Sequence, residues 1–226
     1  IPNITGAYRD TGKLGAEYFL KKGFKNFAFY GFNNIVWSRE RAEGFEERVQ
    51  EAGYNVHHYQ AQDTESADLW YYKPSALSEW LKSLPKPVAL MTCDDNQGHH
   101  VTEAAKHAGI RIPDEIAVLG VDNDEMVCDL SDPALSSIEL DTEKGGYEAA
   151  RLMEKMIKSK KICLGDIVVK PTQVVTRHST DVFASKDKYV VNALKYIHGN
   201  LDKNLKVDQV LREVPLSRRS LEKRFM

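Results

Sequence analysis

The sequence predicts a doubly wound α/β body followed by a short all-α tail, and three observations carry that prediction. Apolar runs recur along the chain, "NFAFYG" (26–31), "VALMTC" (88–93) and "IAVLGV" (116–121), with helix-length segments between them. Each run is continuously apolar, as strands of a parallel sheet covered on both faces are, and strands alternating with helices make the doubly wound architecture. The third observation is charge. The 226 residues hold 31 Lys and Arg against 33 Asp and Glu, but from Lys186 onward 10 basic residues face 5 acidic ones. An acidic body with a basic tail points to a nucleic-acid-facing segment on a domain that binds something else.

Each element has a local reason. Asp10 closes a short extended stretch, and Ser38 is placed to cap a helix over 38–52. Pro74, a favoured first-turn residue, opens a helix over 74–84 that stops before "PKP" (85–87). A helix over 96–109 ends at Gly109, which tolerates the left-handed stop. A helix over 142–158 puts Tyr147, Ala150, Met153 and Ile157 on one face. In the tail, Val190, Ala193, Leu194 and Ile197 make one buried stripe, ended by Gly199. Val207, Val210, Leu211 and Val214 make a second. Ser217 then caps a last helix with Leu221 and Phe225 inward and Arg218, Arg219, Glu222 and Lys223 outward near its start. A short basic helix is often only a solvated face, but the turn spacing and the position after a linker favour contact with DNA.

The strand ends are polar. "NFAFYG" runs into Asn33 and Asn34, "VALMTC" into Asp94 and Asp95, and "IAVLGV" into Asp122, Asn123 and Asp124. Ligands of such sheets sit beyond the carboxyl ends of the strands, so these acceptors converge on one crevice with Asp10 and the donor fork of Arg41. Carboxylates that accept from adjacent hydroxyls, with an arginine that donates to oxygens, suit a polyhydroxylated ligand. Trp70 or Trp37 would cover the apolar face of a sugar ring. Taken singly, any of these carboxylates also fits a helix N-cap, Asp95 among them.

Other chemistries find less support. Cys93, Asp94, Asp95, His99 and His100 cluster without a recognised ligand spacing, as does Asp122 with Asp124, so no metal site is assigned. The pairs His57–His58 and His99–His100 read as surface imidazoles. No GxSxG, HExxH, GxxxxGK[ST] or GxGxxG occurs, and no catalytic residue is assigned. Cys93, Cys128 and Cys163 form no CxxC pair and read as reduced, buried thiols of a cytoplasmic protein. No apolar run reaches the roughly 20 residues of a membrane span, and the start shows no signal-peptide pattern.

Beyond these readings, "DTGKLGAEYFLKKGFKNFAFYG" (10–31), "RAEGF" (41–45), "IRIPDEIAVLGVDND" (110–124), "DPALSSIELD" (132–141) and "VVTRHST" (174–180) resemble the lac-repressor/periplasmic sugar-binding family in order and spacing. From Tyr189 onward the chain resembles the start of an AraC-type DNA-binding domain. The resemblance implies a two-lobed, periplasmic-binding-protein-like effector domain over 1–181, a linker over 182–188 and the first half of an AraC-type domain over 189–226. It implies that further units of the first lobe precede Ile1 and that a second helix-turn-helix follows Met226. Carried over position by position, the family's ligand contacts fall on Asp10, Arg41, Asp94 and Asp122, with Trp70 stacking. The DNA contacts read from the last helix itself are Ser217, Arg218, Arg219 and Lys223. Asp94 stands where the family often has Asn, which changes donor and acceptor preference, and Pro215 replaces a small turn residue.

The function so implied is a cytoplasmic, homodimeric transcription regulator. It would bind operator DNA and a sugar effector, D-xylose or a related pentose, with no cofactor, enzymatic step or membrane association. A sugar-binding protein of a transport system would have a signal peptide and no basic tail. A sugar-processing enzyme using Asp94 or Asp122 as base would turn the sugar over. Because the carboxylates are read as acceptors for hydroxyls, EDTA should leave pentose affinity unchanged in a calorimetric titration. Binding lost to the chelator and restored by a divalent ion would reinstate a metal at Asp94, Asp95 and His99.

Overall fold

The computed structural model describes residues 2–59, 74–159, 165–182, 187–198, 200 and 205–225. In chain order β1 (Ile4–Gly6) leads into α1 (Tyr8–Lys21), β2 (Phe27–Tyr30), α2 (Val36–Glu51) and β3 (Val56–His58). Then come α3 (Pro74–Ser83), β4 (Val88–Thr92), α4 (Asp95–Ala108), β5 (Ile116–Val121), α5 (Glu125–Leu130) and β6 (Ser136–Leu140). The body closes with α6 (Thr142–Ser159), β7 (Ile167–Val169) and β8 (Pro171–Val175). The tail holds α7 (Lys188–His198), α8 (Val207–Glu213) and α9 (Arg218–Phe225).

Six strands form the larger sheet in the order β3-β2-β4-β5-β6-β8, all parallel except β8, which runs antiparallel to β6. β1 and β7 pair in parallel in a second, two-stranded sheet. The chain therefore passes between the sheets three times: from β1 into α1, from β6 into α6, and from β7 into β8.

The apolar runs are continuous because each strand feeds two cores. Phe27, Phe29, Ala89, Met91, Ala117 and Leu119 pack with Ala16 and Phe19 of α1 and with Phe45 and Val49 of α2. Their alternating neighbours Ala28, Tyr30, Val88, Leu90, Ile116 and Val118 pack with Leu77 and Leu81 of α3 and Val101, Ala104 and Ala105 of α4. Period-two geometry sends successive side chains to opposite faces, so a sheet covered twice needs apolar residues at every position. From β2 the chain winds outward through α2 to β3, then returns to β4 on the other side. The strand order reverses between β2 and β4, and that reversal opens a crevice at their carboxyl ends.

α1 and α2 touch backbone to backbone. A β-carbon at Gly12 would run into the Arg41 carbonyl oxygen and the Phe45 amide, and one at Gly44 into the Arg9 backbone. Above this contact Arg9 bridges to Glu43 and Glu47, and Lys13 reaches Glu47 at 3.1 Å.

Several local expectations are corrected. Asp10 lies inside the first turn of α1, because the extended stretch already ends at Gly6. Ser38 does not cap α2: Ile35 holds the cap position, and the buried Ser38 hydroxyl accepts from the Phe32 N–H at 2.8 Å. Asp94, not Asp95, caps α4. The apolar side chains of α6 share a face, and Tyr147, Met153 and Ile157 are exposed on it. His99 and His100 are half-buried and bonded to Ser131 and Gln97, rather than surface imidazoles. Gly109 does adopt the left-handed stop, with φ 70°.

In the tail, Ala193, Val210, Val214 and Leu221 join α7, α8 and α9 around one small core. Leu221 points inward as expected, but Phe225 and Val207 are exposed, since three short helices cannot enclose them. Gly199, the expected stop of α7, lies outside the described residues. Ser217 caps α9 through the Ser220 N–H at 3.3 Å.

The glycine contact generates a test. Gly12→Ala forces α1 from α2 and should destabilise the fold by at least about 2 kcal/mol, the scale of core overpacking. Denaturant melts of wild type and variant measure it, and equal midpoints would rule the contact out as a constraint.

Candidate functional site

The crevice at the strand reversal is organised around Arg41. This residue lies on α2 and is 4% exposed. One guanidinium nitrogen donates to the Cys93 carbonyl at the end of β4, and another reaches Asp122 Oδ1 at 3.0 Å, just beyond β5. The guanidinium lies over the Trp37 ring at 5.3 Å and the Tyr8 ring at 5.8 Å. Its Nε is buried and has no hydrogen-bond partner among the described residues. A cation in this position needs acceptors, and the site supplies one to each of two of its three nitrogens.

Asp94 stands beside this pair. Its Oδ1 accepts from the Gln97 N–H at 2.7 Å, capping α4, and the Thr92 hydroxyl fixes its backbone through the Asp94 carbonyl at 2.8 Å. Burial pushes the Asp94 carboxyl up from its ordinary value; the Gln97 N–H and Arg41 oppose that rise and Asp122 adds to it. Asp122 itself remains half-exposed while gripping Arg41. Its backbone sits at φ 103° and that of Asn123 at φ 53°, so the turn after β5 holds two non-glycine residues in the left-handed half of conformational space. Such strain persists only where the surroundings over-determine it, and it collects at ligand sites.

The structure thus brings Arg41, Asp94 and Asp122 together. Asp10 is exposed on the turn of α1 that follows Tyr8, one connection away from the small sheet. Asn33 and Asn34 lie exposed in the loop that enters α2. Trp70 lies outside the described residues, and Trp37, the other aromatic considered, stacks on the arginine. Tyr8 carries no sequence signal beyond its place next to Asp10. Cys93 and Cys128 are buried free thiols, and burial pushes Cys128 up to about 12. Among the described residues no three His, Cys, Asp or Glu side chains are grouped to hold an ion.

On α9, Arg218, Arg219 and Lys223 are exposed along one side, Arg218 bridging to Glu222 at 2.8 Å. Arg224 pairs with Asp187 and covers the Tyr189 ring, tying the end of α9 to the start of α7.

A doubly wound fold with an arginine–carboxylate crevice at its strand reversal defines the class. The model of the periplasmic binding protein-like domain matches residues 16–180, and the chain belongs to that family. Among curated proteins it is similar to the xylose operon regulatory proteins of Escherichia coli (strain K12) and Haemophilus influenzae. The first is 35% identical over 92% of this chain and 54% of the relative, the second 33% identical over 94% and 56%. The chain thus spans about half the length of the curated relatives it matches. Among solved structures, that of a xylose-binding transcription activator aligns over 100% of this chain and 60% of its own, at 32% identity and a TM-score of 0.74. A lac repressor described as dimeric shares the fold at 19% identity, with a TM-score of 0.64 over 80% of this chain and 64% of its own.

Proposed function

We propose that this chain is the sensing and DNA-contacting part of a sugar-responsive transcription regulator, with a pentose of the D-xylose type as effector. The observation that carries the proposal is the buried Arg41, packed against the Tyr8 and Trp37 rings and with no acceptor for its Nε among the described residues, beside the carboxylates of Asp94 and Asp122. A vicinal diol suits the two carboxylates, each of which can accept from a hydroxyl. One hydroxyl oxygen accepts from Arg41, while its proton and that of its neighbour go to Asp122 and Asp94. Asp10 is assigned to the rim of the same crevice, and Trp70 to its stacking wall. The similarity to xylose operon regulatory proteins supports both the sugar class and the regulatory role.

The effector-binding part is assigned to residues 1–181 and the DNA-contacting part to 189–226, joined over 182–188. Sugar bound between the two sheets favours a closed arrangement, and closure alters DNA affinity only to the extent that the sugar prefers one state. We place the protein in the cytoplasm, as a dimer on operator DNA, without a cofactor and without catalysis. No described helix is long and apolar enough to cross a membrane.

Two measurements test this reading. Asp122→Asn keeps the shape of the side chain but removes the charge that Arg41 and the diol share. Pentose affinity should fall by about tenfold or more in calorimetry, a loss of about 1–3 kcal/mol. Unchanged affinity would displace the sugar from this crevice. For DNA, Ser217 sets the start of α9, and Arg218, Arg219 and Lys223 face outward from it. Replacing Arg218 and Arg219 together should weaken operator binding across a salt series. If one arginine reads a guanine, about 1–3 kcal/mol is lost at a single base pair. If both hold phosphates, affinity falls for every sequence and the salt slope shrinks by about one unit per contact. Wild-type operator affinity in the double variant would remove α9 from the interface.

A further inference from the structure

Behind the crevice lies a second, wholly buried carboxylate that touches none of the groups assigned to the sugar. Asp95, the first residue of α4, is 2% exposed. Its Oδ1 accepts from the Ser137 hydroxyl at 2.6 Å and its Oδ2 from the Asp124 N–H at 2.8 Å. The Ser137 oxygen in turn accepts from the Asn123 N–H at 3.0 Å, and the Asp122 N–H is taken by the Ile138 carbonyl at 2.9 Å. The three successive amides of the turn at 122–124 are therefore held by β6, by Ser137 and by Asp95. Gly120 makes this possible, since a β-carbon there would occupy the position of Asp95 Oδ1.

This turn is the one whose backbone enters the left-handed region at Asp122 and Asn123. Released, it would relax toward ordinary angles and carry the Asp122 carboxylate away from Arg41. We propose that Asp95 and Ser137 are a positioning pair for the sugar site, holding the strained turn that presents Asp122, and that sugar affinity depends on Asp95 being ionised. The proposal rests on the sugar reading of the Arg41–Asp122 crevice.

Charge enters because the partners of Asp95 donate to it. Two hydrogen bonds reach its oxygens from Ser137 and Asp124, and the Cys128 thiol adds a third favourable contact; all three favour the carboxylate. Burial opposes them and dominates, so the Asp95 carboxyl is pushed up to about 7, with Asp122 adding to the rise. The other ionisable groups around it are Asp94 and His99 on its own helix, Asp122 and Asp124 on the turn and Cys128 on α5. Arg177 lies beyond the turn, holding the Asn123 side chain at 3.0 Å. Protonating Asp95 turns an acceptor into a donor opposite Ser137 and loosens the turn, so affinity should rise with pH through about 7. Stability moves the other way. An unfolded aspartate titrates near about 3.9 and the folded one higher, so this group's contribution to stability is full below about pH 4 and is lost as pH rises to about 7. Opposite signs separate positioning from simple structural support.

The test uses the full-length protein, with pentose titrations at about pH 6 and about pH 8 and thermal midpoints in parallel. Wild type should bind more tightly at the higher pH. Asp95→Asn should bind about tenfold more weakly at the higher pH, lose the pH step and melt no lower than wild type, since a buried charge has gone. Ser137→Ala should weaken binding similarly through the Asn123 amide. If Asp95→Asn and Ser137→Ala bind like wild type while Asp122→Asn does not, the positioning role is wrong and the sugar site stands. A wild type that binds no pentose overturns both.

Discussion

A buried guanidinium keeps its charge, so whatever surrounds Arg41 must supply acceptors or aromatic faces. The end of β4 supplies a carbonyl, the turn after β5 a carboxylate, and Trp37 and Tyr8 supply aromatic rings. These partners come from the sheet and from the helix pair that covers one of its faces, and they meet where the strand order reverses between β2 and β4. The crevice is thus a consequence of topology, and the arginine makes it specific. An uncharged residue at this position would let the strand ends fill the space with ordinary packing.

Two kinds of carboxylate serve the site, and environment separates them. Asp122 stays half-exposed and available, whereas Asp95 is sealed behind it with its oxygens already occupied. Burial makes the sealed one costly to ionise. Asp95 sits behind the turn and holds its backbone amides, while Asp122 stands in front of it and reaches Arg41. Asp94 is intermediate: it caps α4 and still faces Arg41 and Asp122.

Much of this was legible in the sequence, and the reasons are local. Runs such as "IAVLGV" can only be strands covered on both faces, and Gly109 and Pro74 mark helix ends by backbone chemistry alone. Polar residues after those runs pointed to Asp94 and Asp122, and the donor fork of Arg41 in the helix after Asn34 completed the candidate set that the structure brings together. The misreadings have one cause in common, that a side chain's task depends on what lies across the fold. Asp94 and Asp95 are adjacent acids; which of them caps the helix and which is buried is decided by Ser137, 42 residues away. Ser38 resembled a cap until Phe32 claimed its hydroxyl. Phe225 fitted the periodicity of α9 but finds too little core to enter. Tyr8 gave no signal because stacking on a cation requires no motif.

The glycines that let α1 and α2 meet backbone to backbone leave the arginine no freedom of placement, since its own carbonyl forms part of the contact. Divergence among descendants of this scaffold is thereby channelled. On the sugar reading proposed above, point changes at Trp37, Asp94 or the 122–124 turn would trade one hydroxyl pattern for another while the guanidinium stays where it is. A new preference that needed the cation moved would require compensating changes on both helices at once, a path that single substitutions do not open.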